Sequence, residues 1–192
     1  ATFKVYIDEE FDEPAHELMP WNGVLEPLPV AGADGFINIE TPGQFATLLA
    51  NASGLKAKLA EDVDMAGYTV AVNPELTRNL ELDGQGHMVS NLVVESGAKV
   101  NGLFPSLVSS TVKNLVIDGI VVMPAAARAT IEGDYYAGAL VGATYGEVKI
   151  EKVTVKGAKV AGVNKVGGLV GFVAENVLNV DGAVVDAIPV SG

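Results

Sequence analysis

Short valine-rich segments recur through the second half of this chain, and that recurrence constrains its fold more than any other feature. Asn91-Leu92-Val93-Val94-Glu95-Ser96-Gly97 is echoed 23 residues on by Asn114-Leu115-Val116-Ile117-Asp118-Gly119. Lys152-Val153-Thr154-Val155-Lys156-Gly157 echoes it again after 38 more residues, and Ala183-Val184-Val185-Asp186-Ala187 is a weaker fourth copy. A second motif interleaves with the first, as Asn101-Gly102-Leu103-Phe104, Gly138-Ala139-Leu140-Val141-Gly142 and Gly167-Gly168-Leu169-Val170-Gly171. Repeats at spacings of roughly 20–50 residues signal a stacked array.

Units this small cannot bury their own apolar faces, but stacked copies bury them as ladders of Val, Leu and Ile. The expected fold is all-β: a right-handed parallel β-helix, or solenoid, with its hand set by the crossover rule. A period of about 22 residues predicts six to seven coils, each of three short strands and three turns, with glycines at the corners. The 38-residue interval exceeds that period and predicts an inserted loop at 123–134. Leu103, Leu140 and Leu169 then stack in equivalent positions, which an antiparallel sandwich would not produce.

One helix is evident. Thr41 suits the N-cap, Pro42 the first helical position and Gln44 the third, a capping box. Phe45, Leu48, Leu49 and Ala52 follow as one apolar stripe, predicting a helix over 42–52. Open solenoid ends expose unpaired strand edges, so this helix is expected to cap the N-terminal end. The C-terminal end carries no equivalent. The domain reading is an acidic extension with one strand over 1–35, then the β-helix over 36–192. Trp21 is expected to anchor the extension to the body.

Composition removes several function classes. The chain has 192 residues, no Cys, 2 His and a formal net charge of -12, so thiol nucleophiles and zinc-thiolate sites are excluded. Two arginines in an acidic chain make a poor nucleic-acid binder. No apolar run approaches a membrane span of about 18 residues. Residues 1–64 hold 12 acids and 3 bases, whereas the remainder holds 12 and 9, so the charge belongs mainly to the entry segment.

Several segments, in order, resemble a known family. They are Phe36-Ile37-Asn38-Ile39, Thr41-Pro42-Gly43-Gln44-Phe45, Lys58-Leu59-Ala60-Glu61-Asp62-Val63-Asp64-Met65 and Leu82-Asp83-Gly84-Gln85-Gly86-His87-Met88-Val89-Ser90-Asn91-Leu92. With the Gly-Leu motifs, they resemble β-helical surface proteins with GLUG-type repeats over roughly residues 36–187. Pro105 in place of a glycine and the poor copy at 177–186 depart from that pattern. The resemblance implies secreted or outer-surface proteins of Bacteroides-like bacteria, linked with adhesion, and brings no catalytic residues. It also implies an extracellular location, with the signal or membrane anchor outside this sequence.

The residues themselves offer few chemical constellations. Asp62, Asp64 and Asp83 supply oxygen ligands of the calcium type, but without a known calcium spacing they read better as turn acceptors. Gly84-Gln85-Gly86-His87 leads into a strand rather than a helix, so it reads as a turn and not a phosphate loop. Glu95, Asp118 and Asp186 are candidate hydrolase carboxylates, and equally solvated corner residues. Asp134, Tyr135, Tyr136 and Tyr145 flank the insertion and form the best candidate ligand surface, since exposed aromatic rings stack on sugars. The expected function is therefore a non-enzymatic adhesion or ligand-binding module without cofactor or metal. Its expected partner is a host or bacterial surface protein or a glycan. The alternative is a glycan-binding or glycan-processing β-helix.

Overall fold

The computed structural model describes residues 19–124, 135–162, 165–174, 178–186 and 190–191. Among them the chain is all-β apart from one short helix, and every strand pairing is parallel. Its strands belong to five sheets, here numbered I to V in the order of a full pass from Glu81 onward.

Sheet I contains Ile37–Ile39, Lys56–Leu59, Glu81–Asp83, Thr111–Lys113, Val148–Glu151 and Leu178–Asp181. Sheet II contains Val63–Asp64, Met88–Ser90, Val116–Asp118, Thr154–Lys156 and Val184–Val185. Sheet III contains Val93–Ser96, Val121–Pro124, Lys159–Ala161 and Val190–Ser191. Sheet IV contains Val100–Asn101, Tyr136–Gly138 and Lys165–Gly167. Sheet V contains Leu76–Arg78, Phe104–Val108, Val141–Tyr145 and Val170–Val173. From Glu81 onward each pass runs I, II, III, IV, V and back to I, laying its strands beside those of the pass before.

The pass is longer than the sequence period suggested. Glu81 lies beside Thr111 and Met88 beside Val116, 30 and 28 residues on, and a pass holds five strands rather than three. Four passes and the start of a fifth replace the six to seven short coils. The cause is the corner chemistry. Asn91 turns the chain from sheet II to III and Asn114 turns it from I to II, both in the left-handed region at φ 54° and 51°. Asn tolerates that conformation better than most residues. Similar sequence therefore recurs at different corners of one pass, and the 23-residue echo compares two corners. The 38-residue echo is a true pass, because Val116 pairs with Thr154. It runs about 8–10 residues longer than its neighbours. Most of the expected insertion, 125–134, lies outside the described residues.

The core runs through the stack as side-chain ladders. In sheet I, Ala57, Leu82, Val112 and Ile150 align and are fully buried. Val63, Val89, Ile117 and Val155 do the same in sheet II. Phe104, Val141 and Val170 share one register position in sheet V, each directly preceded by Leu103, Leu140 or Leu169. The Gly-Leu motif makes the turn from sheet IV to V. A Cβ on Gly138 or Gly167 would collide with the carbonyl oxygen of Val141 or Val170, so a side chain there is sterically excluded.

The helix spans Pro42–Ala50 and joins the first two strands of sheet I, Ile37–Ile39 and Lys56–Leu59. Thr41 Oγ1 accepts from the Gln44 N–H at 3.2 Å. The reciprocal bond shifts by one residue from the expected capping box, with Gln44 Oε1 accepting from the Glu40 N–H at 2.9 Å. Phe45, Ala46, Leu48 and Leu49 join the same core as Ile39 and Leu59. Trp21 is also part of it: its backbone N–H donates to the Asp64 carbonyl at 2.8 Å and its ring meets Tyr68 edge-on. The expected N-terminal strand falls within 1–18, outside the described residues.

Candidate functional site

Of the four residues expected to form a ligand surface, Asp134 lies outside the described residues. Alternation along the entry to sheet IV sends Tyr135 and Tyr136 to opposite faces. Tyr135 is 2% exposed, and its buried hydroxyl has no hydrogen-bond partner among the described residues. Tyr136 is half-buried and stacks on Phe172, with ring centroids 4.5 Å apart at 25°. Lys165, its register partner in sheet IV, holds Nζ 4.7 Å from the Tyr136 ring centroid and 4.0 Å from that of Phe172. Tyr145 ends its strand in sheet V, where its carbonyl accepts from the Ser109 N–H at the corner one pass earlier.

The structure thus assembles Tyr136, Phe172 and Lys165, two of which the sequence reading missed. Aligning Tyr136-Ala137-Gly138 with Lys165-Val166-Gly167 would have found Lys165. Phe172 had no such signal, because its register partner is the small Ala143.

The aspartates act as corner acceptors. Asp64 Oδ1 accepts from the Ala66 N–H and the Asn91 amide, both at 2.9 Å. Asp83 Oδ1 repeats the arrangement with the Gln85 N–H at 2.9 Å and the Asn114 amide at 3.0 Å. Asp62 Oδ1 accepts from the Met88 N–H at 2.9 Å and lies 3.0 Å from His87 Nδ1. Burial opposes ionisation of Asp83, but the Asn114 amide, the Gln85 N–H and the Lys113 ammonium outweigh it and hold the carboxyl below its ordinary value. Among the described residues no group of three His, Asp or Glu side chains is placed to hold a metal.

The outer face of sheet I is a ladder of mixed charge. Lys56 bonds Glu81 at 3.0 Å, and Lys113 reaches Asp83 at 3.5 Å and Glu81 at 3.9 Å. In sheet II Asp118 lies beside Lys156, Asp186 directly follows that sheet's strand Val184–Val185 with its N–H on the Val155 carbonyl, and Glu95 lies on sheet III.

A cleft of about 220 Å³ lies where the entry segment meets the helix, lined among others by Trp21, Glu26, Glu40, Thr41, Glu61 and Asp62. Its carboxylates come from separate stretches of chain, so no local motif announces it. Glu26 accepts from the Thr41 hydroxyl at 2.6 Å, and Asp62 is engaged as above.

A scan of protein-family models and searches of curated proteins and solved structures return no match to this chain. Among the described residues, no helix is long and apolar enough to cross a membrane.

Proposed function

We propose that this chain is a right-handed parallel β-helix of the GLUG-repeat kind, capped at its N-terminal end by the helix, and that it serves as a non-enzymatic adhesion or ligand-binding module at a bacterial cell surface. The fivefold sheet order supports the solenoid, and the crossover rule supports its hand. The cap is supported by the helix's position, because it fills the chain between two neighbouring strands where later passes run a full circuit. The family reading rests on the sequence alone, on the order of Lys58–Met65, Leu82–Leu92 and the Gly-Leu motifs.

One observation carries the function. The outer face of sheet I presents Lys56, Lys58, Glu81, Asp83, Thr111, Lys113, Lys149 and Glu151 in register on parallel strands. Strands about 4.8 Å apart make this a flat polar grid suited to contact over an area rather than enclosure of a small molecule. Binding of the purified chain to a glycan array and to immobilised surface extracts tests the reading. Saturable binding that falls when Lys113 and Lys149 are changed to Glu is expected.

The acidic cleft favours a second reading, a glycan-processing β-helix, because hydrolases flank the scissile bond with two carboxylates. Polysaccharide turnover abolished by Glu40→Gln or Glu61→Gln would establish it and overturn the first.

A further inference from the structure

The chain contains two Asn-Gly pairs, Asn22-Gly23 and Asn101-Gly102, and the fold treats them oppositely. In such a pair the side-chain amide carbon lies within reach of the next backbone nitrogen, and glycine puts no side chain in the way of attack. Asn22 forms a tight turn in which its Oδ1 accepts from the Val24 N–H at 3.0 Å. That bond folds the amide back over the Gly23 peptide. It also donates to the oxygen on which negative charge develops during attack. The turn is held from outside: the buried Trp21 donates its indole N–H to the Val24 carbonyl and its backbone N–H to the Asp64 carbonyl, both at 2.8 Å. Gly23 has φ 83°, and its N–H makes no hydrogen bond among the described residues. Asn101 is 2% exposed, and its amide nitrogen is committed to the Ala98 carbonyl at 3.1 Å. Gly102 beside it is buried, with the Gly138 carbonyl oxygen and the Gly142 nitrogen 2.8 Å from where a Cβ would sit.

We propose that Asn22-Gly23 is a self-modifying site, at which the Gly23 nitrogen attacks the Asn22 side chain and converts the amide to an acid. Solvent base removes the Gly23 N–H proton, the nitrogen bonds to Asn22 Cγ, and the carbonyl electron pair moves onto Oδ1. Collapse expels Nδ2, which takes a proton from water and leaves as ammonia, closing a cyclic imide. Water then opens the imide. Attack at Cγ breaks the new bond and gives an aspartyl residue; attack at the main-chain carbonyl breaks the original peptide bond and gives an isoaspartyl link. Asp34-Gly35 is the internal contrast. Its turn is the same, with Asp34 Oδ1 accepting from the Phe36 N–H at 3.1 Å and Gly35 at φ 79°. There the Lys58 ammonium at 2.7 Å, and then the Phe36 N–H, hold the carboxyl below its ordinary value, and an ionised carboxylate resists attack. Position 22 lines the cleft that also holds Glu26, Glu40, Glu61 and Asp62, so either product adds a carboxylate there. The isoaspartyl product also inserts a methylene into the main chain after Trp21, which breaks the indole bond to Val24.

Peptide mapping by mass spectrometry of the whole chain, aged at mildly alkaline pH, tests this. In the folded chain the Asn22 peptide is expected to gain one mass unit and to split into two products of equal mass. The Asn101 peptide is expected to change at least about tenfold more slowly. In urea the two pairs are expected to react at similar rates. Asn22→Gln, whose longer side chain closes a less favourable ring, is expected to keep its mass. Trp21 is the only tryptophan, so its emission reports the anchor separately. A red shift is expected to grow with the isoaspartyl fraction, whereas Asn22→Asp, which keeps the acceptor of the turn, is expected to retain the original emission. Equal rates at Asn22 and Asn101 in the folded chain, or an Asn22 that survives folded after it has reacted in urea, would overturn the site. An unshifted emission at full isoaspartyl conversion would overturn its coupling to Trp21.

Discussion

Asn114 holds a left-handed backbone at φ 51° while its side-chain amide donates to Asp83, one pass earlier, at 3.0 Å. The same residue turns the chain and ties two passes together. Asn91 and Asp64 repeat the relationship at the corner between sheets II and III. Asn114→Ala removes the hydrogen bond, worth about 1 kcal/mol, and replaces a residue that tolerates the left-handed conformation with one for which it costs about 1–2 kcal/mol. A loss of about 2–3 kcal/mol in urea unfolding is expected. Asn114→Gly should recover the backbone part alone.

Acid sensitivity follows from the same pair. The Asp83 carboxyl titrates below its ordinary value of 3.8 in the folded chain, so the unfolded chain binds its proton first as pH falls. Its contribution is present above 3.8 and is lost as pH falls through the lower folded value. Asp83→Asn should leave a chain less stable at pH 7 but flatter in stability below about pH 4.5. Thermal unfolding across that range measures the slope. An unchanged slope would remove Asp83 from the acid response.

Lys152 occupies the corner that Asn114 fills one pass earlier and Gly182 one pass later, at φ 52°. A long side chain is a poor occupant of that conformation. Relief of about 1–2 kcal/mol of strain exceeds the 0.5–1 kcal/mol of added unfolded-state entropy, so Lys152→Gly should stabilise by about 0.5 kcal/mol or more. The denaturation midpoint should rise with an unchanged slope. A fall would mean that the lysine side chain contributes contacts exceeding the strain.

These corners explain what was legible in the sequence. Alternating Val and Leu with Gly revealed a parallel stack, because ladder positions need only be apolar and periodic. Thr41, Pro42 and Gln44 marked the helix start through local hydrogen bonding. The period was misread because Asn91 and Asn114 obey one backbone rule at different corners. The stacking of Tyr136 on Phe172 was not legible, since it joins sheets IV and V through side chains outside any shared ladder position. The acidic cleft was hidden for a related reason: it assembles Glu26, Glu40, Glu61 and Asp62 from separate segments.

Two glycines separate backbone strain from steric exclusion. Gly35 has φ 79° and nothing within 4 Å of the position a Cβ would take, so Gly35→Ala should cost about 1 kcal/mol. Gly138 has no positive φ to relieve, yet its Cβ would strike the Val141 carbonyl and approach Gly171 N at 2.7 Å. Neither neighbour is a side chain that can rotate away. Gly138→Ala should cost more than about 3 kcal/mol or prevent folding. Soluble yield and melting temperature compare the pair, and equal losses would refute the steric account of the Gly-Leu turn.

The helix supplies the last test, because capping and burial make separable contributions there. The Thr41 hydroxyl accepts from the Gln44 N–H and donates to Glu26, so Thr41→Ala should cost about 1–2 kcal/mol without changing solubility. Phe45 is fully buried against the first pass, and Phe45→Ala should cost about 3–5 kcal/mol. If the helix caps the stack, loosening it exposes the strand edges beneath and aggregation should rise with the loss of stability. Light scattering during thermal unfolding separates the cases. Phe45→Ala should scatter before its main transition, whereas Thr41→Ala should scatter only with it. Destabilisation by Phe45→Ala without early scattering would leave the helix a core element and remove its role as a cap.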